Sequence, residues 1–279
     1  MFPDDGIAKG DLAAYYEAVA PVMLPHVRGR PVTMERYHRG IGAPGFFQKN
    51  VTKGFPPWLE RVAVPKKDGV VHHPIVTDER GLVWLANQNC ITPHVWTSRA
   101  PHLDHPDLCV FDLDPAADEP ARLRAAALGL RDFLEELGLS SWIKTSGSKG
   151  FHIALPLDGK SGYGEVARFA HTVGRLMVER DPENLTQEFY KADRGGRILV
   201  DTGRNEYSAT FAAVYAVRPK RGAPVSAPCS WEEVERRTVE PARFTLRTMA
   251  ARLEEAGDLW GEMNEVRQSL RGAIARLPG

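Results

Sequence analysis

Nowhere in the 279 residues does an apolar run approach the ~20 that a membrane span requires. The opening MFPDDGIAKGDL has no basic segment leading into an apolar stretch, so it does not read as a secretion signal. Cysteine is scarce: Cys90, Cys109 and Cys229 are odd in number and far apart. That excludes a disulfide framework and a cysteine-type zinc site, and suits reduced thiols in a cytoplasmic protein. Net charge is missing too. With 36 basic residues against 36 acidic ones, any surface that meets nucleic acid must be a local patch. No internal repeat or low-complexity linker is present. What remains is a globular balance, 43% apolar and 26% charged, long enough for one large domain or two small ones.

Periodicity divides the chain into elements. A helix is expected over roughly Asp11 to Leu24, with Asp11 as N-cap and Leu12, Tyr15, Tyr16, Val19 and Val22 on its apolar side. A basic irregular segment follows, from Arg28 to the loop GAPGFFQKN. Leu59 to Pro65 and Val70 to Val76, joined around Lys67-Asp68-Gly69, predict a hairpin, and Leu82 to Asn89 a short helix. Further on, Leu108 to Asp112 reads as a strand ending on a carboxylate, and Arg122 to Leu137 as a helix closed by Gly138. Trp142 to Thr145 and His152 to Leu155 flank a glycine-rich turn, and Tyr163 to Arg180 is helical. Arg197 to Asp201 and Ala209 to Arg218 read as strands, Pro241 to Ala256 and Glu262 to Arg276 as helices. The sum predicts an α+β fold: a mixed, largely antiparallel central sheet flanked by helices, with an N-terminal subdomain to about residue 100 wrapped against it.

Three segments carry chemistry. In Asp112-Leu-Asp114-Pro, strand alternation puts both carboxylates on one face, where they repel unless a cation lies between them. Such a pair suits phosphoryl transfer, although alone an Asp-X-Asp is commonly a solvated strand end. Lys144-Thr-Ser-Gly-Ser-Lys-Gly-Phe-His152 combines exposed backbone N–H groups, hydroxyls, the charge of Lys149 and the ring of His152. It could hold a triphosphate or be a flexible turn, and it lacks P-loop spacing. Arg197-Ile-Leu-Val-Asp201 delivers a third carboxylate at a strand end, with Arg204 and Arg218 beyond it.

Taken in order, a carboxylate pair, a Ser/Lys/His turn and a third carboxylate resemble the three motifs of the archaeo-eukaryotic primase superfamily. More narrowly, CVFDLDP, WIKTSGSKGFH, GRILVDTGRN and VYAVRPKRGAPVSAPCSWEEV, with IAKGDLAAYY, RGRPVT and FFQKN before them, resemble the polymerase domain of the bacterial non-homologous end-joining DNA ligase D. The resemblance covers nearly the whole chain and implies a single primase-polymerase domain over 1–279, its DNA-end-binding part in 1–100 and its catalytic part in 101–279. It implies that Asp112, Asp114 and Asp201 ligate two divalent cations, Mn2+ or Mg2+, and that Ser146, Lys149, His152, Arg218 and His94 contact the incoming nucleotide. Phe46 and Phe47 correspond to a pair that stacks on bases, in a loop flanked by glycine and proline. Lys9, with Lys49 or Arg36, corresponds to basic contacts to a downstream 5′-phosphate.

The implied activity is nucleotide addition to a primer 3′-OH at gaps, overhangs or double-strand breaks, by short gap filling and template-poor end extension, with tolerance or preference for ribonucleotides and for manganese. The implied partners are DNA, nucleoside triphosphates, a Ku-type end-binding protein and a separate DNA ligase, in a cytoplasmic, nucleoid-associated setting. Relatives usually begin with an Asn-Pro-x-Lys-like stretch, whereas Met1-Phe2-Pro3 opens this chain, which implies weaker 5′-phosphate recognition. A primase starting chains de novo, a non-catalytic end-binding module and a two-metal nuclease are the rival readings. The acidic triad argues against the binder, and the Ser/Lys/His turn against the nuclease.

Overall fold

The computed structural model describes residues 1–277; Pro278 and Gly279 lie outside the described residues. From the N-terminus come α1 (Lys9–Val27), β1 (Val32–Arg36), β2 (Phe46–Gln48), β3 (Arg61–Lys66), β4 (Gly69–Pro74), α2 (Glu79–Asn87) and β5 (Cys90–Val95). Next are β6 (Leu108–Asp114), α3 (Pro120–Glu136), β7 (Trp142–Thr145), β8 (Phe151–Pro156), α4 (Tyr163–Arg180), β9 (Leu185–Thr186) and β10 (Ile198–Asp201). The chain closes with β11 (Phe211–Ala212), β12 (Pro228–Cys229), α5 (Trp231–Glu235), α6 (Met249–Ala256) and α7 (Leu270–Arg276).

The architecture is α+β, with helices packed on largely antiparallel sheets. Instead of one central sheet there are two, a six-stranded one in the order β12-β7-β8-β6-β10-β9 and a four-stranded one in the order β11-β5-β1-β2, beside the β3–β4 hairpin. Only β9–β10 is parallel in the larger sheet. The smaller sheet takes its edge strand β11 from beyond residue 200, so residues 1–100 do not close on themselves.

Alternation along the larger sheet decides where the site lies. Cys109, Phe111 and Leu113 of β6, Phe151, Ile153 and Leu155 of β8, and Ile198 and Val200 of β10 enter one core with Leu130 and Phe133 of α3 and Val166 and Phe169 of α4. Strand residues one position out of step must face the other way. Leu108, Val110 and Ala154 accordingly join a second core with Tyr16, Met23 and Val95. At the ends of the strands the same face carries polar groups instead.

Several elements depart from the pattern reading. Asp11 is not the N-cap of α1 but its third residue, and its carboxylate reaches back to accept from the Ala8 N–H at 2.7 Å. The helix also continues through Pro21 and Pro25, held by buried Leu12, Tyr16, Ala20 and Met23 and by the Tyr16 hydroxyl, which donates to the Ile91 carbonyl at 2.6 Å. The 209–218 strand is cut to Phe211–Ala212, because Tyr215 turns to a φ of 63°. Residues 241–248 are not helical: Val225 N–H donates to the Phe244 carbonyl and Leu246 N–H to the Ala223 carbonyl, so that backbone is committed to a loop. The 262–276 helix is interrupted where the Gln268 carbonyl accepts from Asp158 N–H. The hairpin pairs Arg61 with Pro74 through Lys66 with Gly69, leaving Lys67-Asp68 as its turn.

Arg30 is 1% exposed and bidentate to Asp107 at 2.6 and 2.9 Å, with further bonds to the His26 and Trp96 carbonyls. Arg30→Met removes these bonds and leaves Asp107 with Arg99 alone, so it should lower unfolding free energy by about 1.5–3 kcal/mol in a denaturant titration. Burial raises the Asp107 pKa, but Arg30 and Arg99 outweigh it and hold the carboxyl below 3.8. A depressed carboxyl stabilises the fold fully above its unfolded value and less as pH falls through the folded one. Acid unfolding of Arg30→Met should therefore flatten below about pH 4 relative to wild type.

Candidate active site

Cross-strand register builds the site before any side chain is considered. Asp201 of β10 sits opposite Asp112 of β6, Asp112 opposite His152 of β8, and His152 opposite Lys144 of β7. Directly opposed residues share a face, so these four form one polar row across four strands, with Asp114 two residues along β6. The row lies on the face turned away from α3 and α4.

A cavity of about 330 Å³ opens over this row. It gathers all eight residues assigned above to metal and nucleotide: Asp112, Asp114, Asp201, Ser146, Lys149, His152, Arg218 and His94. Phe189, Arg194 and Arg204 join them. Arg204 Nη2 lies 3.2 Å from Asp112 Oδ2 and 3.1 Å from Asp201 Oδ2, while Arg194 Nη1 lies 2.9 Å from Asp114 Oδ2. Neither arginine was assigned a role from the sequence, because each is one of many and only the fold sets it against an acid. Arg194 caps the 3-10 turn Lys191–Asp193 that follows β9 and is 4% exposed.

Burial pushes the Asp112 carboxyl up to about 6, helped by the charges of Asp201 and Asp114 and opposed by Arg204 and Lys144. Among the described residues no three His, Cys, Asp or Glu side chains are gathered as a metal cluster. The reason is visible in the pairing, since Arg194 holds Asp114 and Arg204 holds the other two. The donor set nevertheless fits a hard divalent cation: Asp112 and Asp201 are opposed oxygens whose mutual repulsion a cation would relieve.

The Ser146–Gly150 turn is packed with little tolerance. Ser146 Oγ accepts from the N–H groups of Ser148 and Gly150, which closes the turn. Gly147 has a φ of 65°, and a Cβ there would come within 2.5 Å of Arg218 Cγ. At Gly150 a Cβ would lie 1.8 Å from the Leu113 carbonyl oxygen. The turn is thus pressed onto β6 and Arg218, with Lys149 left exposed at its tip. Arg218 Nε is buried and lacks a hydrogen-bond partner. Burial, with Arg204, lowers the Arg218 pKa against the attraction of Glu35 and Asp112. A buried donor without an acceptor is rare in folded proteins.

His94 stands on the smaller sheet, its Nε2 2.9 Å from Glu35 Oε2. Burial lowers its pKa, as does Arg218, against the pull of Glu35. Glu35 was missed in the sequence, where a single carboxylate in PVTMERYH gives no signal.

The residues assigned to DNA lie outside this cavity. Phe46 and Phe47 occupy an edge strand rather than a loop, because β2 pairs Arg36 with Phe46 and Glu35 with Phe47. Consecutive strand residues face opposite ways, so the two rings are not one platform. Phe47, 64% exposed, meets the His94 ring edge-on at 5.3 Å. Phe46 lies under the Arg36 guanidinium, 5.5 Å from ring centre to Cζ. Lys9 Nζ donates to the Asn87 carbonyl at 3.2 Å, and Lys49 is exposed.

A family model described as LigD, primase-polymerase domain, matches residues 8–260. The multifunctional non-homologous end joining DNA repair protein LigD of Mycobacterium tuberculosis is 33% identical over 270 residues, covering 93% of this chain and 35% of that protein. A LigD of Pseudomonas aeruginosa is 34% identical over 284 residues, covering 99% of this chain and 33% of its own length. The chain thus spans about a third of the curated relatives it matches. Among solved structures, the polymerase domain of Mycobacterium tuberculosis ligase D in complex with DNA superposes with a TM-score of 0.89 at 32% identity, covering 96% of both chains.

Proposed function

The chain belongs to the LigD primase-polymerase family of nucleotidyltransferases, and from that premise we propose that it extends a primer 3′-OH at gaps or broken ends of DNA in bacterial end joining or gap filling. The observation that carries this reading is the single cavity whose lining brings three carboxylates together with Arg218, Lys149 and the Ser146 turn. Carboxylates beside anion donors in one cavity suit a divalent cation and a triphosphate together. In this reading Asp112, Asp114 and Asp201 hold two divalent cations, Mn2+ or Mg2+, which when bound lower the pKa of the primer hydroxyl and neutralise triphosphate charge. Arg218 and Lys149 take the phosphates, aided by His152, and help to stabilise the charge that develops on the leaving pyrophosphate. His94 and Ser146 contact the rest of the nucleotide. Arg194 and Arg204 balance the carboxylates, so those side chains stay poised at the cavity wall. Ribonucleotides are accepted or preferred, and a Ku-type protein and a separate ligase act on the same ends.

The deciding experiment is extension of a gapped duplex with ribo- and deoxyribonucleotides, in magnesium and in manganese, beside a primer-free reaction. Metal-dependent extension only with primer supports the reading; no addition under any condition, or products only without primer, refutes it.

Phe47 and Lys9 divide the proposed DNA grip. Phe47→Ala should weaken binding to gapped DNA at every salt concentration, by about 1–3 kcal/mol, because stacking carries no counterion release. Lys9→Ala should matter only on 5′-phosphorylated substrate and fade as salt rises. Paired titrations with and without the 5′-phosphate measure both, and an indifferent Phe47→Ala contradicts the stacking role.

A further inference from the structure

Lys144 is the one member of the polar row that does not line the cavity, and it is 0% exposed. A buried amine is costly where an aliphatic side chain would pack freely, so its contacts define its use. Nζ lies 2.9 Å from His152 Nδ1, close to Ser226 Oγ, and 5.7 Å from the centre of the Phe211 ring. Ser226 Oγ donates its own hydrogen to the Thr145 carbonyl at 2.9 Å, so toward Lys144 it can only accept. On the opposite edge of the imidazole, Nε2 faces Asp112 Oδ1 at 3.4 Å.

We propose that Lys144 is a positioning residue that donates into His152 Nδ1 and thereby keeps the imidazole proton on Nε2, toward the cavity. The Lys144 edge of the ring sets this tautomer, and the Asp112 edge is compatible with it. An ammonium has only hydrogens to offer, so Nδ1 must accept. A neutral amine could instead receive a proton from Nδ1, but that would leave a bare Nε2 lone pair against the Asp112 carboxylate. The strand register makes the arrangement rigid: Lys144, His152 and Asp112 are successive cross-strand partners, and Phe211 covers the amine from the other sheet. His152 is thus set as a donor. That this donor serves a phosphate oxygen rests on the polymerase reading above; the tautomer does not.

Two measurements test this. In nucleotide-free protein labelled with 15N-histidine, the His152 signal is identified among the nine histidines by its loss in His152→Gln. Its long-range 1H–15N pattern should show a protonated Nε2 and a bare Nδ1. A protonated Nδ1 overturns the proposal, whatever the activity of the enzyme. Second, Lys144→Met and Lys144→Gln are both uncharged, but only glutamine retains an N–H donor. Lys144→Met should raise the nucleoside triphosphate KM about tenfold or more with gapped-DNA affinity unchanged, and Lys144→Gln should restore most of the loss. Equal deficits in the two variants, or a wild-type KM in Lys144→Met, overturn it. Should Lys144→Met not fold, the wild-type spectrum still decides. Nucleotide addition lost in wild type, with the expected tautomer present, would count against the polymerase reading and uphold the tautomer.

Discussion

Asp112→Ala and Asp114→Ala should each lower nucleotide addition by about a thousandfold or more, equivalent to about 4 kcal/mol of transition-state stabilisation. Affinity for gapped DNA should stay within about twofold, because the residues assigned to DNA lie outside the cavity that both acids line. The physical basis is the register that sets Asp112 against Asp201, and the push of its carboxyl to about 6 by burial and by neighbouring acids. Acids so placed gain from a cation and cannot be replaced by an apolar methyl. The measurement is single-turnover extension of a gapped duplex alongside a binding titration. Full activity in either variant contradicts the polymerase reading, while joint loss of DNA affinity would point to a structural role.

The second large effect is expected at Arg218. Its Nε is buried without a partner, and its guanidinium lies among Glu35, Asp112 and Arg204. A charged hydrogen bond to phosphate contributes about 1.5–3 kcal/mol. Arg218→Ala should therefore reduce kcat/KM for the nucleotide by one to two decades, roughly tenfold to a hundredfold, with DNA affinity nearly unchanged. Lys149→Ala should move in the same direction by less, because Lys149 is exposed and its charge is screened. A large loss of DNA affinity with intact nucleotide kinetics would place Arg218 against the duplex instead. Since a Cβ at Gly147 would meet the Arg218 stem, Gly147→Ala should give part of the Arg218→Ala phenotype.

How much was legible beforehand follows the range of the interactions. Strands β6, β8 and β10 were readable as short apolar runs beginning or ending on polar groups, and helices α3 and α4 because their apolar residues recur at helical spacing on one face, both of them local signals. The Asp112/Asp114 pair and the Lys144–His152 turn could be found as motifs because each lies within a few residues of sequence. The hairpin too was announced by its own turn.

What the sequence determined by itself, then, is the set of elements and the chemical types they carry: acids at strand ends, a Ser/Gly/Lys turn, and aromatics beside basic residues. Tertiary structure alone decided which of these meet. Cross-strand register put Asp201 against Asp112, and packing brought Arg204 and Arg194 to the acids, Glu35 to His94 and Lys144 behind His152. It also shortened three expected elements, because Tyr215, Phe244 and Gln268 spend their backbone hydrogen bonds on distant partners. The physical reason is common to all of these. A backbone or charged group is satisfied by whatever partner the fold delivers, and a partner on another strand or across a turn leaves no periodic trace in the chain.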